Sequence, residues 1–183
     1  MSNTWCLTCL ISGTGIRRNM DIISHGLWGS AAFGRKSKKL FWIAFFFGIA
    51  PDLFSFGIFF VHYILKNGFA FSHEAYHTVI PSYVYTFYNF THSLIIFSII
   101  FLIASYFLRR PVYEMCGWGL HIALDIFTHS YAFFPTPFLF PISNFKVDAI
   151  GWNHPIIFVP NIILLLIVYA YLWRRKQKKV STT

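Results

Sequence analysis

The sequence predicts an all-α, polytopic membrane protein, a bundle of about four spanning helices with a shorter helix at its N-terminal end. Composition is the first reason: of the 183 residues, 56% are hydrophobic and only 11% are charged. A soluble domain of this length cannot bury so much apolar surface. The second reason is distribution, because the apolar residues form separate runs and the basic residues stand in short clusters at the ends of those runs.

Five apolar segments predict the helices. In chain order they cover residues 21–34, 40–65, 92–108, 112–134 and 156–173. A helix needs about 20 apolar residues to cross a bilayer, so the last four have spanning length or nearly so. The first is too short to cross alone, and we expect it to insert partway or to pack against the others. No internal repeat is evident, and residues 20–183 are interpreted as one membrane-embedded domain.

The basic clusters predict the orientation of these helices. They lie at residues 35–39, 109–110 and 174–179. Because positively charged loops stay in the cytoplasm, placing all three clusters there orients the four spans consistently and leaves the C-terminus cytoplasmic. Arg17 and Arg18 would lie outside if the first segment crossed. That conflict favours a start at Met20, with residues 1–19 either absent from the native protein or forming a mobile extension.

The formal net charge of +9 does not indicate nucleic-acid binding. The basic clusters flank Phe and Leu runs, and no nucleic-acid motif accompanies them, so membrane lipids with anionic headgroups are the expected partners. The three cysteines, Cys6, Cys9 and Cys116, are odd in number and give no disulfide framework. The oligomeric state is not predicted.

A stripe of ionisable residues in the fourth segment is the strongest chemical signal. His121, Asp125 and His129 follow one another at i, i+4 and i+8, which places them on one face of a helix. Such groups are costly inside a membrane unless they pair or bind an ion. The stripe therefore predicts a functional site, although His129, near the outer boundary, could instead face water.

Three more polar residues, His25, Asp52 and His92, interrupt other apolar segments. Counted from the nearest basic cluster, these residues and the stripe lie roughly 15 to 29 Å from the cytoplasmic boundary of a layer about 30 Å thick. The shared depth predicts a shared site. Imidazole and carboxylate suit zinc, manganese or ferrous iron, so the set could hold one ion or two, with hydrolysis by an activated water as the natural reaction. Alternatively, His25 or His92 could simply bond to a backbone carbonyl or a hydroxyl.

At these residues the sequence resembles the YdjM-like family of LexA-regulated, membrane-bound, metal-dependent hydrolases. The resemblance covers residues 20–160 and rests on Ser24-His25-Gly26, Pro51-Asp52, Thr91-His92-Ser93-Leu94, His121-x-x-x-Asp125 with Thr128-His129, and Phe138-Leu-Phe-Pro141. It implies a metal-dependent hydrolase in the cytoplasmic membrane of a bacterium or archaeon, and we expect a small or lipid-like substrate for it. The implied metal ligands are His25, Asp52, His92, His121 and Asp125. In the mechanism that we expect, zinc is the first candidate metal, Asp125 bridges when two ions are present, and His129 or an unligated carboxylate moves the proton.

A more distant similarity is to zinc-dependent phospholipase C and the P1-type nucleases, whose zinc ligands follow the same His, Asp, His, His-x-x-x-Asp order. This similarity implies a phosphodiester substrate. The later His-x-x-x-Glu pair of those enzymes is absent here, and His154 is the one candidate left in the C-terminal part. A full trinuclear site is therefore not expected.

Two alternatives compete with this interpretation. His73-Glu74-Ala75-Tyr76-His77 matches H-E-x-x-H, the zinc metalloprotease pattern in which Glu74 would activate water between the ligands His73 and His77. Its position between Gly68 and Pro81 leaves room for about two helical turns, without an obvious third ligand. The His/Asp stripe could also carry metal ions or protons, ligate haem, or only bridge helices. A conduit would need polar groups at many depths, which favours the hydrolase.

Overall fold

The computed structural model describes residues 22–67, 80–132 and 134–180. Within those ranges the chain forms helices and no β-strand, which confirms the all-α class. The helices are α1 (Ile22–Phe33), α2 (Lys38–Asn67), α3 (Ser82–Thr91), α4 (Leu94–Phe107), α5 (Cys116–Thr128) and α6 (Pro155–Val180). A single 3₁₀ turn, Tyr113–Met115, leads into α5. The 1–19 extension lies outside the described residues.

Among the described residues, two helices are long and apolar enough to cross a membrane, α2 over Lys38–Lys66 and α6 over Pro155–Lys178. A third span results if α3 and α4, which meet at a bend of 58°, cross together. The expected count of about four spans is not confirmed, because α5 has 13 residues. At 1.5 Å per residue it is about 20 Å long, shorter than a hydrocarbon layer of about 30 Å.

Local backbone chemistry explains where the predicted segments break. Ser93 adopts an extended conformation, and its side chain accepts a hydrogen bond from the backbone N–H of Ile96 at 3.2 Å, so α4 begins with Leu94. Such capping starts a new helix. His92 is left in the bend between α3 and α4. At the other end of the site α5 stops at Thr128, because His129 has extended dihedral angles (φ −113°, ψ 141°).

Glycines allow α1, α2 and α5 to approach one another closely. A Cβ added at Gly29 on α1 would lie 2.8 Å from the carbonyl oxygen of Ala44 on α2, and one at Gly117 on α5 would lie 2.7 Å from the same atom. A Cβ at Gly48 would lie 2.5 Å from the carbonyl oxygen of His25. Small residues permit this backbone approach in membrane helices. The close approach of the three helices also brings together the polar side chains that lie about one helical turn away from these glycine contacts.

Helix α6 is attached to α1 by polar bonds as well as by apolar contact. The side chain of Asn161 donates to Ser24 Oγ at 2.9 Å and accepts from the indole N–H of Trp28 at 2.8 Å. Further along, the Tyr169 hydroxyl donates to the carbonyl of Leu27 at 2.9 Å. The side chains of Asn161 and Tyr169 therefore have hydrogen-bond partners, which offset the desolvation penalty of placing polar groups in an apolar helix.

The outward faces of α4 and α6 are apolar and exposed. Helix α4 has no buried residue, and Leu102 and Phe107 are 66% and 76% exposed. On α6, Leu166 and Trp173 are 66% and 62% exposed. Contiguous apolar surface of this kind suits contact with lipid. The exposed faces agree with the chain being a membrane protein.

Candidate metal centre

Four buried side chains of ligand type meet between α2, the α3–α4 bend and α5. Asp52 lies on α2, His92 in the bend, and His121 and Asp125 one turn apart on α5. Each offers one nitrogen or oxygen atom, and these atoms all lie within 4.8 Å of one another. None of the four residues is more than 1% exposed. We call these four residues the metal centre.

The separations between these atoms suit a tetrahedral ion. His121 Nε2 lies 3.1 Å from His92 Nε2, 3.1 Å from Asp125 Oδ2 and 3.8 Å from Asp52 Oδ1. His92 Nε2 lies 3.4 Å from both Asp52 Oδ1 and Asp125 Oδ2. Ligand atoms held about 2.1 Å from a tetrahedral zinc ion are about 3.4 Å apart. The distances fall on both sides of that value.

Hydrogen bonds from the far side of each ring determine which nitrogen faces the centre. His121 Nδ1 lies 2.7 Å from the carbonyl oxygen of Gly48. His92 Nδ1 lies 3.3 Å from the carbonyl oxygen of Tyr88 and 3.0 Å from Thr91 Oγ1. A carbonyl oxygen only accepts, so each Nδ1 carries the proton and each neutral ring turns the lone pair of Nε2 toward the centre. This arrangement is typical of metal-binding histidines.

Several carboxylate oxygens of the centre are buried without a hydrogen bond. Both side-chain oxygens of Asp52 and Oδ2 of Asp125 have no hydrogen-bond partner within the described ranges. Leaving a buried carboxylate unsatisfied is strongly unfavourable unless it is paired or bound to a metal. With the two imidazole lone pairs, these oxygens form a convergent set of electron-pair donors. The residues present therefore fit a divalent transition-metal ion.

The second oxygen of Asp125 faces other groups. Oδ1 lies 3.2 Å from His25 Nε2, 3.4 Å from the indole nitrogen of Trp152 and 3.8 Å from His129 Nε2. The His25 ring also packs on that of His121, with centroids 4.0 Å apart. His25 therefore lies beside the metal centre and reaches it through Asp125 rather than as one of its four members. Its Nδ1 is buried and has no hydrogen-bond partner in the part of the chain that the structure describes.

His129 is buried at the end of α5, and the interpretation in which it faces water is wrong, because it is only 4% exposed. Its Nδ1 lies 3.0 Å from the carbonyl oxygen of Phe134 and 2.9 Å from the Tyr88 hydroxyl. The Tyr88 hydroxyl donates to the same carbonyl at 2.8 Å. These contacts direct Nε2 of His129 toward Asp125.

Two contacts of the centre are absent from the sequence predictions. Trp is a residue type typical of membrane interfaces. Trp152, however, is only 7% exposed, and its indole N–H points at Asp125. Tyr88 stacks on His92 with ring centroids 3.8 Å apart. The i, i+4 spacing of Tyr88 and His92 is a signal that could have indicated this pair.

The remaining candidates do not join the centre. His154 is exposed, and its Nδ1 accepts from the backbone N–H of Ile156 at the start of α6, at 3.3 Å. It therefore contributes no further ligand. His73, Glu74 and His77 lie outside the described residues, so the geometry bears on neither their ligation nor their role.

Comparison with protein-family models, with curated proteins and with solved structures finds no match to this chain. The fold and the site therefore define its class. Over residues 22–67, 80–132 and 134–180 it is an all-helical protein with two or three candidate membrane-spanning helices and a buried His/Asp centre that could hold a metal ion. The similarities to the YdjM-like hydrolases and to phospholipase C stay predictions.

Proposed function

We propose that the protein is a membrane-bound, metal-dependent hydrolase whose ion is held by Asp52, His92, His121 and Asp125. The observation that carries the proposal is the convergence of two imidazole lone pairs and unsatisfied carboxylate oxygens in a buried space. Two nitrogen and two oxygen ligands suit zinc first, with manganese and iron as alternatives. Ionisable groups are costly inside a membrane unless they pair or bind an ion, and an ion would satisfy all four side chains at once.

The chemistry supplied by a divalent ion here would be Lewis-acid activation, in which the pKa of a water falls toward about 7 and a phosphoryl or acyl oxygen is polarised. The protein residues provide the rest. In the proposed reaction His129 Nε2, 3.8 Å from Asp125 Oδ1, would take the proton from the nucleophile. The protonated ring would carry a positive charge. The carbonyl oxygen of Phe134, which Nδ1 faces, and the carboxylate of Asp125 would stabilise that charge.

The two oxygens of Asp125 favour a second cation position. Oδ2 faces His92 and His121, whereas Oδ1 faces His25. A carboxylate placed in this way can bridge two ions, as dinuclear hydrolases require. If Asp125 bridges two ions, metal analysis should count two ions per wild-type chain and one per chain of His25→Ala. One ion in both proteins supports the single-ion form.

The membrane placement is part of the proposal. Helix α6 ends in the basic run at residues 174–179, and this run favours a cytoplasmic C-terminus in a multi-pass protein of a bacterial or archaeal cytoplasmic membrane. Protease digestion of a C-terminal tag tests the orientation. The tag should be protected in right-side-out vesicles and cleaved in inverted ones, and the reverse pattern contradicts the proposed topology.

The decisive experiment joins metal content to turnover in detergent-purified protein. Metal is counted by mass spectrometry, and hydrolysis is followed with bis(p-nitrophenyl) phosphate and a p-nitrophenyl ester. We expect stoichiometric metal and chelator-sensitive turnover, both lost in His121→Ala and kept in His62→Ala, which removes an exposed histidine of α2. A wild-type protein without stoichiometric metal, whose hydrolysis is the same in His121→Ala, would refute the proposal.

The alternatives give different results in the same preparation. Transport would appear as metal or proton uptake into proteoliposomes without turnover of either substrate. Haem binding would appear as a Soret band. A protein whose His and Asp residues only bridge helices would show no response to chelation.

A further inference from the structure

A cleft with a volume of about 300 Å³ lies next to the metal centre. Tyr88 forms part of its lining, and the same ring stacks on His92 with centroids 3.8 Å apart. The Tyr88 hydroxyl also contacts His129 Nδ1 at 2.9 Å. One aromatic side chain therefore separates the cleft from the proposed ligand and from the proposed proton acceptor.

The cleft combines an aromatic wall with one cation. Tyr85 and Phe134 stack nearly parallel in this wall, with ring centroids 4.9 Å apart. Among the described residues of the lining, Lys146 is the one that is charged, and the amide of Asn89 is a further polar group. Throughout the described part of the chain no carboxylate oxygen lies within 4.0 Å of the Lys146 ammonium. Its charge is therefore available to a ligand.

Hydrogen bonds hold the backbone of Lys146 near the end of α5. The hydroxyl of Tyr131 donates to the carbonyl of Lys146 at 2.9 Å, and the N–H of Tyr131 donates to Asp148 Oδ1 at 2.8 Å. The N–H of Ala149 donates to the carbonyl of His129 at 3.0 Å. The backbone that carries the Lys146 side chain is thus held near the end of α5, and a recognition residue needs such support.

We propose that this cleft binds the substrate of the hydrolase, an amphiphile whose phosphate-type anionic group pairs with Lys146 and whose apolar part packs on Tyr85 and Phe134. This inference rests on the proposed function and adds the substrate class to it. A lysine ammonium is a common point-charge partner for phosphate. A volume of about 300 Å³ is at the lower end for ligand pockets, so it accommodates a headgroup and the first carbons of a chain, not a whole lipid.

Binding is tested without turnover. Full-length protein in the neutral detergent dodecyl maltoside is titrated with dodecyl phosphate, or with inorganic phosphate, by calorimetry. Wild type and Lys66→Gln, which removes an exposed cation at the end of α2, should bind dodecyl phosphate equally. Lys146→Gln should bind it about 10-fold more weakly, the loss expected for one charge-assisted bond. Inorganic phosphate should bind far more weakly than dodecyl phosphate.

A metal-free preparation separates this inference from the proposed function. In the His121→Ala background, adding Lys146→Gln should still weaken the binding of dodecyl phosphate, because the cleft binds through its own residues. Equal binding by wild type and Lys146→Gln overturns the role of the cation, and equal affinity for inorganic and dodecyl phosphate overturns the amphiphile. If wild type binds as expected but hydrolyses nothing, the proposed function fails while the cleft assignment stands.

Discussion

Substitution of Asp125 by Asn is the most informative single perturbation. The side chain keeps its size but loses its charge and one of its two acceptor oxygens, and Asp125 is the residue that contacts both His121 and His25. Binding free energies of about 10–16 kcal/mol for four-ligand zinc sites correspond to roughly 3 kcal/mol per ligand. We therefore expect Asp125→Asn to weaken zinc binding by about 100-fold.

Thermal unfolding converts this loss into a temperature shift. At free zinc 100 times the wild-type Kd, binding stabilises the folded protein by about 2.7 kcal/mol, and the same zinc concentration stabilises Asp125→Asn by only about 0.4 kcal/mol. For a chain of this size the corresponding increases in Tm over chelated protein are about 5–11 °C and about 1–2 °C.

The assay is Tm by intrinsic fluorescence, with and without zinc, in one detergent. Asp148→Asn is the matched control, because Asp148 is exposed, lies outside the metal centre and needs only an acceptor oxygen for its bond to Tyr131. It should keep the full zinc shift. A wild type with no zinc shift, or an Asp125→Asn variant with the wild-type shift, would refute the ligand assignment.

Four further outcomes are expected. Gly117→Ala should destabilise the protein by about 1–3 kcal/mol, since its Cβ would lie 2.7 Å from a carbonyl oxygen of α2. In the control Gly57→Ala the nearest atom is a side-chain carbon at 3.2 Å, so Tm should stay within a degree or two of wild type. An equal loss of stability in both variants would contradict the close-packing argument. Trp152→Phe removes the N–H near Asp125 and should weaken zinc binding by roughly 10-fold in a competition titration, whereas an unchanged Kd would show that this contact does not orient the carboxylate. Glu74→Gln should leave turnover unchanged, and its abolition would favour the H-E-x-x-H alternative. Zinc content should be lower after equilibration at pH 5 than at pH 8, because protons compete for imidazole nitrogens, and constant occupancy would argue against histidine ligands.

The metal centre could be predicted in part because its signals are local. His121 and Asp125 are one helical turn apart, so their shared face follows from helix geometry alone. The similar depth of Asp52 and His92 predicts that they join the same site, and the structure brings both into the same group. The position of His25 beside this group depends on how α1 crosses α2 at Gly48, which no single-sequence pattern specifies.

The number of spans was less predictable, because hydropathy does not show where a helix stops. The apolar character of residues 92–108 and 112–134 continues through positions where the backbone leaves the helix. Side-chain capping by Ser93 and the extended conformation of His129 end or restart the helices there. Trp152 illustrates the same limitation, since its burial depends on a loop that folds back over Asp125.

An X-ray structure with anomalous data collected on both sides of the zinc edge, supported by metal analysis of the same crystals, tests the central claim most directly. We expect one anomalous peak about 2.1 Å from Asp52, His92, His121 and Asp125, with a second near His25 if Asp125 bridges two ions. These four side chains pointing away from one another, or meeting around no anomalous scatterer in crystals grown with zinc, would contradict the assignment of a metal centre.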